Sequence, residues 1–193
     1  GGAHGFDGIY LDNTFPAWPY RPAKVSSGWA SATPVLAGGR TQTEADWVAD
    51  QQGFLQVMKD AVGPAKALVF NGCAASASSP SWRDNSYAYL QYADGCSMED
   101  WVVSGAGTAA VPKTGGAFQQ DLDLFQGVND RAKWSTPLIG SGVHAASVNR
   151  YGIVAALLIW TGPRSTMNFW KGTAEEAIAG RFAQTFPEAS VAL

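Results

Sequence analysis

Two stretches of the chain carry the same pattern of acids. Asp7-Gly8-Ile9-Tyr10-Leu11-Asp12-Asn13 and Asp94-Gly95-Cys96-Ser97-Met98-Glu99-Asp100 share Asp-Gly, two residues, an apolar residue, a carboxylate, then Asn or Asp. Each stretch is predicted to be a strand ending in its carboxylate. Strand alternation sends Ile9 and Leu11, and Cys96 and Met98, to one face. It sends Tyr10 and Asp12, and Ser97 and Glu99, to the other. Two carboxylates facing one space suit glycosidic cleavage, in which one stays ionised and the other gives a proton to the leaving oxygen. A lone carboxylate at a strand end more often caps a helix or satisfies loop amides. The matched pair favours chemistry, so Asp12 is predicted to be nucleophile or base and Glu99 general acid/base. Asp7 and Asp94, at strand starts, are predicted to serve turns.

Other chemistries fit less well. Asp12, Glu99 and Asp100 could offer oxygens to Mg²⁺ or Ca²⁺, as in a metal-dependent lyase or aldolase. The two histidines, His4 and His144, make no metal-ligand spacing with each other or with the cysteines, so zinc is not expected. No metal or cofactor is assigned. Ser141, in Gly140-Ser141-Gly142, lacks the frame of a serine-hydrolase elbow. Around the acid pair, Tyr10, Asn13, Asn71, Asp100, Trp101 and His144 are predicted to contact substrate, with Trp18 and Trp170 as ring-stacking platforms. Core or loop packing is the competing reading of each tryptophan.

The elements that must position these residues alternate along the chain. Strands are predicted over Phe6–Leu11, Ala67–Asn71, Gly95–Trp101, Leu138–Gly142 and Ser165–Phe169. Helices are predicted over Thr43–Val62, Ser79–Tyr92, around Phe118–Phe125, over Val148–Trp160 and over Thr173–Phe186. Thr43 and Asp46 form a capping-box pattern, and Trp47, Phe54, Leu55, Met58 and Val62 a stripe. Phe15–Gly39 and Ser104–Gly116 are predicted as long loops. Alternating strands and helices mean an α/β fold with a parallel sheet. Long loops after strands and short returns such as Gly63-Pro64 match a (β/α) TIM-barrel type, whose sites lie at the strand C-termini. With 193 residues the chain is predicted to be one domain, 1–193. A net charge of −3 with 13 Lys+Arg gives no electrostatic footprint for nucleic acid or an anionic membrane. The longest apolar run, Ile153–Trp160, is too short to span a bilayer. Two cysteines cannot form a disulfide framework, and whether they are free stays open. So does the compartment, export included.

Gly5–Asn13 resembles the fourth strand of hypothetical glycosyl-hydrolase-like TIM barrels, and the matching strand of glycoside hydrolase family 114, the endo-α-1,4-polygalactosaminidases. Asp94–Asp100 resembles their sixth-strand region. Leu138–Gly142 and Tyr151–Phe169 resemble strands seven and eight with the helix between them. The resemblance implies a polysaccharide substrate, with the strand-four carboxylate, here Asp12, as nucleophile or base and the strand-six carboxylate, here Glu99, as acid. It also implies that only about five βα units, strands four to eight, are represented, too few to close a barrel. A fragment lacking an N-terminal segment, a pairing with another chain and a half-barrel homodimer are the three expectations that follow. A non-catalytic carbohydrate-binding or structural half-barrel is the rival from another class.

Overall fold

A computed structural model describes residues 7–16, 23–25, 28–30, 35–75, 81–105, 107–139, 145–166 and 168–169. The predicted helix at Thr173–Phe186 lies outside them. The chain begins with strand β1 (Gly8–Leu11), followed by an antiparallel hairpin of β2 (Ala23–Val25) and β3 (Gly28–Ala30), inside what was predicted as loop. Then come α1 (Glu44–Val62), β4 (Ala67–Asn71), α2 (Ser81–Tyr89) and β5 (Gly95–Met98). A two-residue ladder of β6 (Val103–Ser104) and β7 (Val111–Pro112) precedes α3 (Gly115–Asp130). Strand β8 (Trp134–Ile139), α4 (Ala146–Ile159) and β9 (Asn168–Phe169) complete the series.

The main sheet runs β1-β4-β5-β8-β9, and every pairing in it is parallel. Spatial order follows chain order with no reversal. Each right-handed crossover therefore returns to the same side, and helices collect on one face. Packing agrees, since α1 touches α2, α2 touches α3 and α3 touches α4. Alternate residues confirm it: Leu68, Phe70, Cys96 and Ile139 are fully buried under the helices, whereas Tyr10 and Trp134 on the other face are 54% and 36% exposed. Tyr89 meets Phe70 edge-on, and Phe125 meets Trp101 the same way. Each such buried side chain contributes roughly 1.5–3 kcal/mol of transfer free energy. Among the described residues the sheet is open, with β1 and β9 at its edges. No helix among them is long and apolar enough to cross a membrane.

Several boundaries depart from the sequence expectation. The predicted strand Gly95–Trp101 stops at Met98, because Asp100 and Val102 both turn into left-handed backbone at φ 55 and 52. Strand β8 starts at Trp134 and runs through Pro137, which lacks the N–H that a ladder needs. Ser135 donates to Arg164 on the β9 side, Pro137 cannot, and pairing resumes at Leu138–Asn168. The capping box of α1 forms as predicted, with the Thr43 side chain and Asp46 each bonding the other's backbone. Phe54, placed on the α1 stripe, is exposed instead, while its neighbour Leu55 is fully buried in the core.

Candidate active site

The two acid motifs are built alike. Gly8 and Gly95 open their strands where the neighbouring strand presses closest: a Cβ on Gly8 would collide with the Ala67 carbonyl, and one on Gly95 with Trp134. Asp94, expected to serve a turn, instead ties its strand start to β4 and α1, its carboxylate taking the Leu68 N–H at 2.8 Å and Lys59 Nζ at 2.6 Å. At the other end, Asp12 and Glu99 each stand one residue past the strand, exposed to solvent. The residues after them, Asn13 and Asp100, adopt φ 58 and 55. Asn and Asp tolerate that left-handed conformation better than other non-glycine residues, which is why the motif ends in them.

The pair is bridged by one amide. Asn71, at the end of the intervening strand β4 and almost fully buried, donates from Nδ2 to Asp12 Oδ1 at 2.8 Å and to Glu99 Oε1 at 2.9 Å. The two N–H bonds of an amide diverge by about 120°, so oxygens seated on both lie about 5 Å apart. Register explains why a bridge is needed. Asn71 pairs with Ser97, and Asp12 follows the Leu11–Phe70 pair, so Glu99 stands one side-chain layer above Asp12. Asp12 also accepts the Asn13 backbone N–H at 2.9 Å and Asn13 Nδ2 at 3.0 Å. Three N–H groups thus face Asp12, and one faces Glu99 among the described residues.

Tyr10 lies below the pair on β1. Burial raises its hydroxyl above the ordinary value, and the charges of Asp12 and Glu99 add to this against the lowering pull of a hydrogen bond with Ser97. It stays protonated near neutrality, an O–H donor close to both acids. On the loop side, a pocket of about 380 Å³ opens beside Glu99, Asn71 and Asn13. That volume lies at the small end of ligand sites. Phe15, Pro16, Trp82 and Met98 give it an apolar wall. The wall is anchored from behind: Trp47 Nε1 and the Tyr89 hydroxyl both donate to the Phe15 carbonyl at 3.1 Å, and Asn85 Nδ2 donates to the Pro16 carbonyl at 2.7 Å. The loop after β4 is joined to strand β5 by a Cys73–Cys96 disulfide, and Gly72 and Cys73 both donate to the Ser97 carbonyl.

Of the predicted substrate contacts, Tyr10, Asn13, Asn71 and Asp100 come together with Asp12 and Glu99. Trp101 does not, and its assignment is corrected. It is fully buried, its indole N–H donates to the Asp121 carbonyl and its ring packs on Phe125, so it offers no face to a sugar. Trp18, His144 and Trp170 lie outside the described residues. Phe15 and Trp82 were not foreseen; Trp82 follows Pro80 at a helix start, and that position was the one available signal. No protein-family model, curated protein or solved structure matches the chain. No group of three or more His, Cys, Asp or Glu with metal-binding geometry occurs among the described residues.

Proposed function

We propose that the chain is a glycoside hydrolase acting on a polysaccharide through Asp12 and Glu99, in a fold of TIM-barrel type. The observation that carries this reading is the Asn71 amide holding two exposed carboxylates at the ends of β1 and β5, with Glu99 lining an aromatic pocket. Asp12, faced by three donors that fix its direction, serves as nucleophile or base. Glu99, with Oε1 on Asn71, keeps Oε2 to carry the proton given to the leaving oxygen. A separation of about 5 Å falls with retaining enzymes, whose carboxyls stand about 5–5.5 Å apart, and short of the roughly 6.5–9.5 Å of inverting ones. The unbroken strand order, with helices on one face, supports the barrel type. Phe15 and Trp82 supply apolar surface for a sugar ring, and Tyr10, Asn13 and Asp100 supply polar groups.

The test is reducing-end release from a panel of glycans that includes α-1,4-linked polygalactosamine. Asp12→Asn and Glu99→Gln are expected to lower kcat by at least about 10³-fold while the fold persists, and the first-formed anomer to match that of the substrate. A protein that binds a glycan but releases no ends from any would be the binding module instead. Full activity in either variant would remove the site assignment.

A further inference from the structure

The end of the sheet opposite the acid pair carries a different chemistry. There the short returns from helix to strand surround a hollow of about 430 Å³. Arg131 and Lys133 enter it from the turn before β8, Arg164 from the turn before Ser165, and Lys66 from the turn before β4. These are four of the 13 cationic side chains of a chain whose net charge is −3. Three of them are anchored by backbone carbonyls, with no carboxylate in the bond. Lys133 Nζ donates to the Ala93 carbonyl at 2.8 Å, Arg164 Nη1 to that of Ala132 at 2.7 Å and Arg131 Nη1 to that of Gly127 at 2.7 Å. A carbonyl bond fixes the direction of a side chain and leaves its charge uncompensated. Lysine has three N–H donors and arginine five, so each keeps donors for another acceptor.

Among the described residues, the one acid lining the hollow is already answered. Asp94 is ion-paired with Lys59 at 2.6 Å and holds the Leu68 N–H. Arg131 is further held by stacking 3.9 Å from the Tyr87 ring centroid. Trp134 closes one side of the hollow with a partly exposed indole. Fixed cations with spare forked donors, beside an aromatic face, are complementary to oxyanions.

We propose that this hollow is a second ligand site, one that binds an oxyanion through Arg131, Lys133 and Arg164. The oxyanion is either free phosphate or the carboxylate of an acidic sugar ring lying on Trp134. The site is separate from the carboxylate cleft and does not depend on the hydrolase reading.

The experiment is titration of the ¹⁵N-labelled protein with inorganic phosphate, with an oligogalacturonate and with a neutral oligosaccharide of equal length. Saturable shifts at the amides of Ala132, Lys133 and Trp134 are expected with an anionic ligand and not with the neutral one. Affinity should fall at least tenfold between about 10 mM and about 1 M NaCl, as the Debye length shrinks from about 30 to about 3 Å. The double variant Lys133→Gln/Arg164→Gln should weaken binding at least tenfold. If phosphate and the oligogalacturonate bind alike and Trp134→Phe leaves both unchanged, the oxyanion alone is recognised. If the oligogalacturonate binds more tightly and Trp134→Ala abolishes the difference, the acidic sugar is the ligand. Absence of shifts at these amides with both anions overturns the proposal. So do shifts that survive unchanged in the double variant, provided its spectrum is that of a folded chain. The wild-type titration stands alone should the variant not fold.

Discussion

Asn71 does the work of spacing: one nitrogen holds Asp12 and Glu99 at a fixed separation. Asn71→Ala is expected to lower kcat by about 10²-fold with KM little changed, the cost of misplacing reacting groups by about 1 Å. Asn71→Asp, which sets a third carboxylate between two others, should be worse than the alanine variant. An equal loss in both would mean that the amide serves packing alone. At the same scale Asp121 gives a pH signature. It is buried under the loop after β5, holding the Val102 N–H and Lys113 Nζ, each at 2.8 Å. Burial raises its carboxyl above the ordinary value in spite of Lys113 and the Val102 amide, which pull it down. The folded chain therefore keeps this proton at a pH where the unfolded chain has lost it. Its contribution to stability falls as pH climbs from the unfolded value towards the folded one, then levels off. Urea denaturation at a series of pH values should show that slope in the wild type and lose it in Asp121→Asn. Asp12 and Glu99 were legible in the sequence because strand parity is a local rule. The burial of Trp101 was not, because its place near a strand end says nothing of the left-handed turns at Asp100 and Val102 that flank it as it enters the core.

The elements divide in the same way. Helix α1 was legible at its N-terminus because Thr43 and Asp46 are three residues apart and cap each other without outside help. Strand β8 was foreseen four residues late because Pro137 reads as a breaker, and only the interrupted β9 ladder makes it tolerable. The hairpin of β2 and β3 carries no turn signal strong enough to separate it from loop. The disulfide could not be derived from two cysteines 23 residues apart; it requires the β4–β5 pairing, which brings their Cα atoms to 5.9 Å. Joining the loop after β4 to the start of β5 restrains the unfolded chain. By the loop-entropy relation, removing that restraint costs about 3 kcal/mol. Cys73→Ser and Cys96→Ser are each expected to lower stability by about that amount in chemical denaturation. Wild type under reducing agent should match them. Because Cys73 lines the pocket and Cys96 sits two residues before Met98, the variants should also weaken glycan binding more than they change the helices seen by circular dichroism.

At the scale of the molecule, strand order decided the architecture. Sequential parallel strands put every carboxyl end at one edge of the sheet, so the acid motifs of β1 and β5 meet across β4 although 87 residues part Asp12 from Glu99. That meeting was legible from alternation of elements. The cationic hollow was not, because Lys66, Arg131, Lys133 and Arg164 are scattered singly along the chain and converge only when the returns stack at the opposite edge. The apolar wall at Phe15 and Pro16 has a kinetic consequence. Its two carbonyls are tied to three side chains of α1 and α2, so the wall can shift only if those helices let go of the core. The doorway is cut in advance. Glycan association should then be a single phase whose rate rises linearly with ligand concentration, with no plateau from a slow rearrangement. Trp47→Phe, which removes the indole N–H of one strut and leaves a smaller aromatic ring, should introduce a saturating second phase in stopped-flow fluorescence. A plateau in the wild type would show that the wall moves after all.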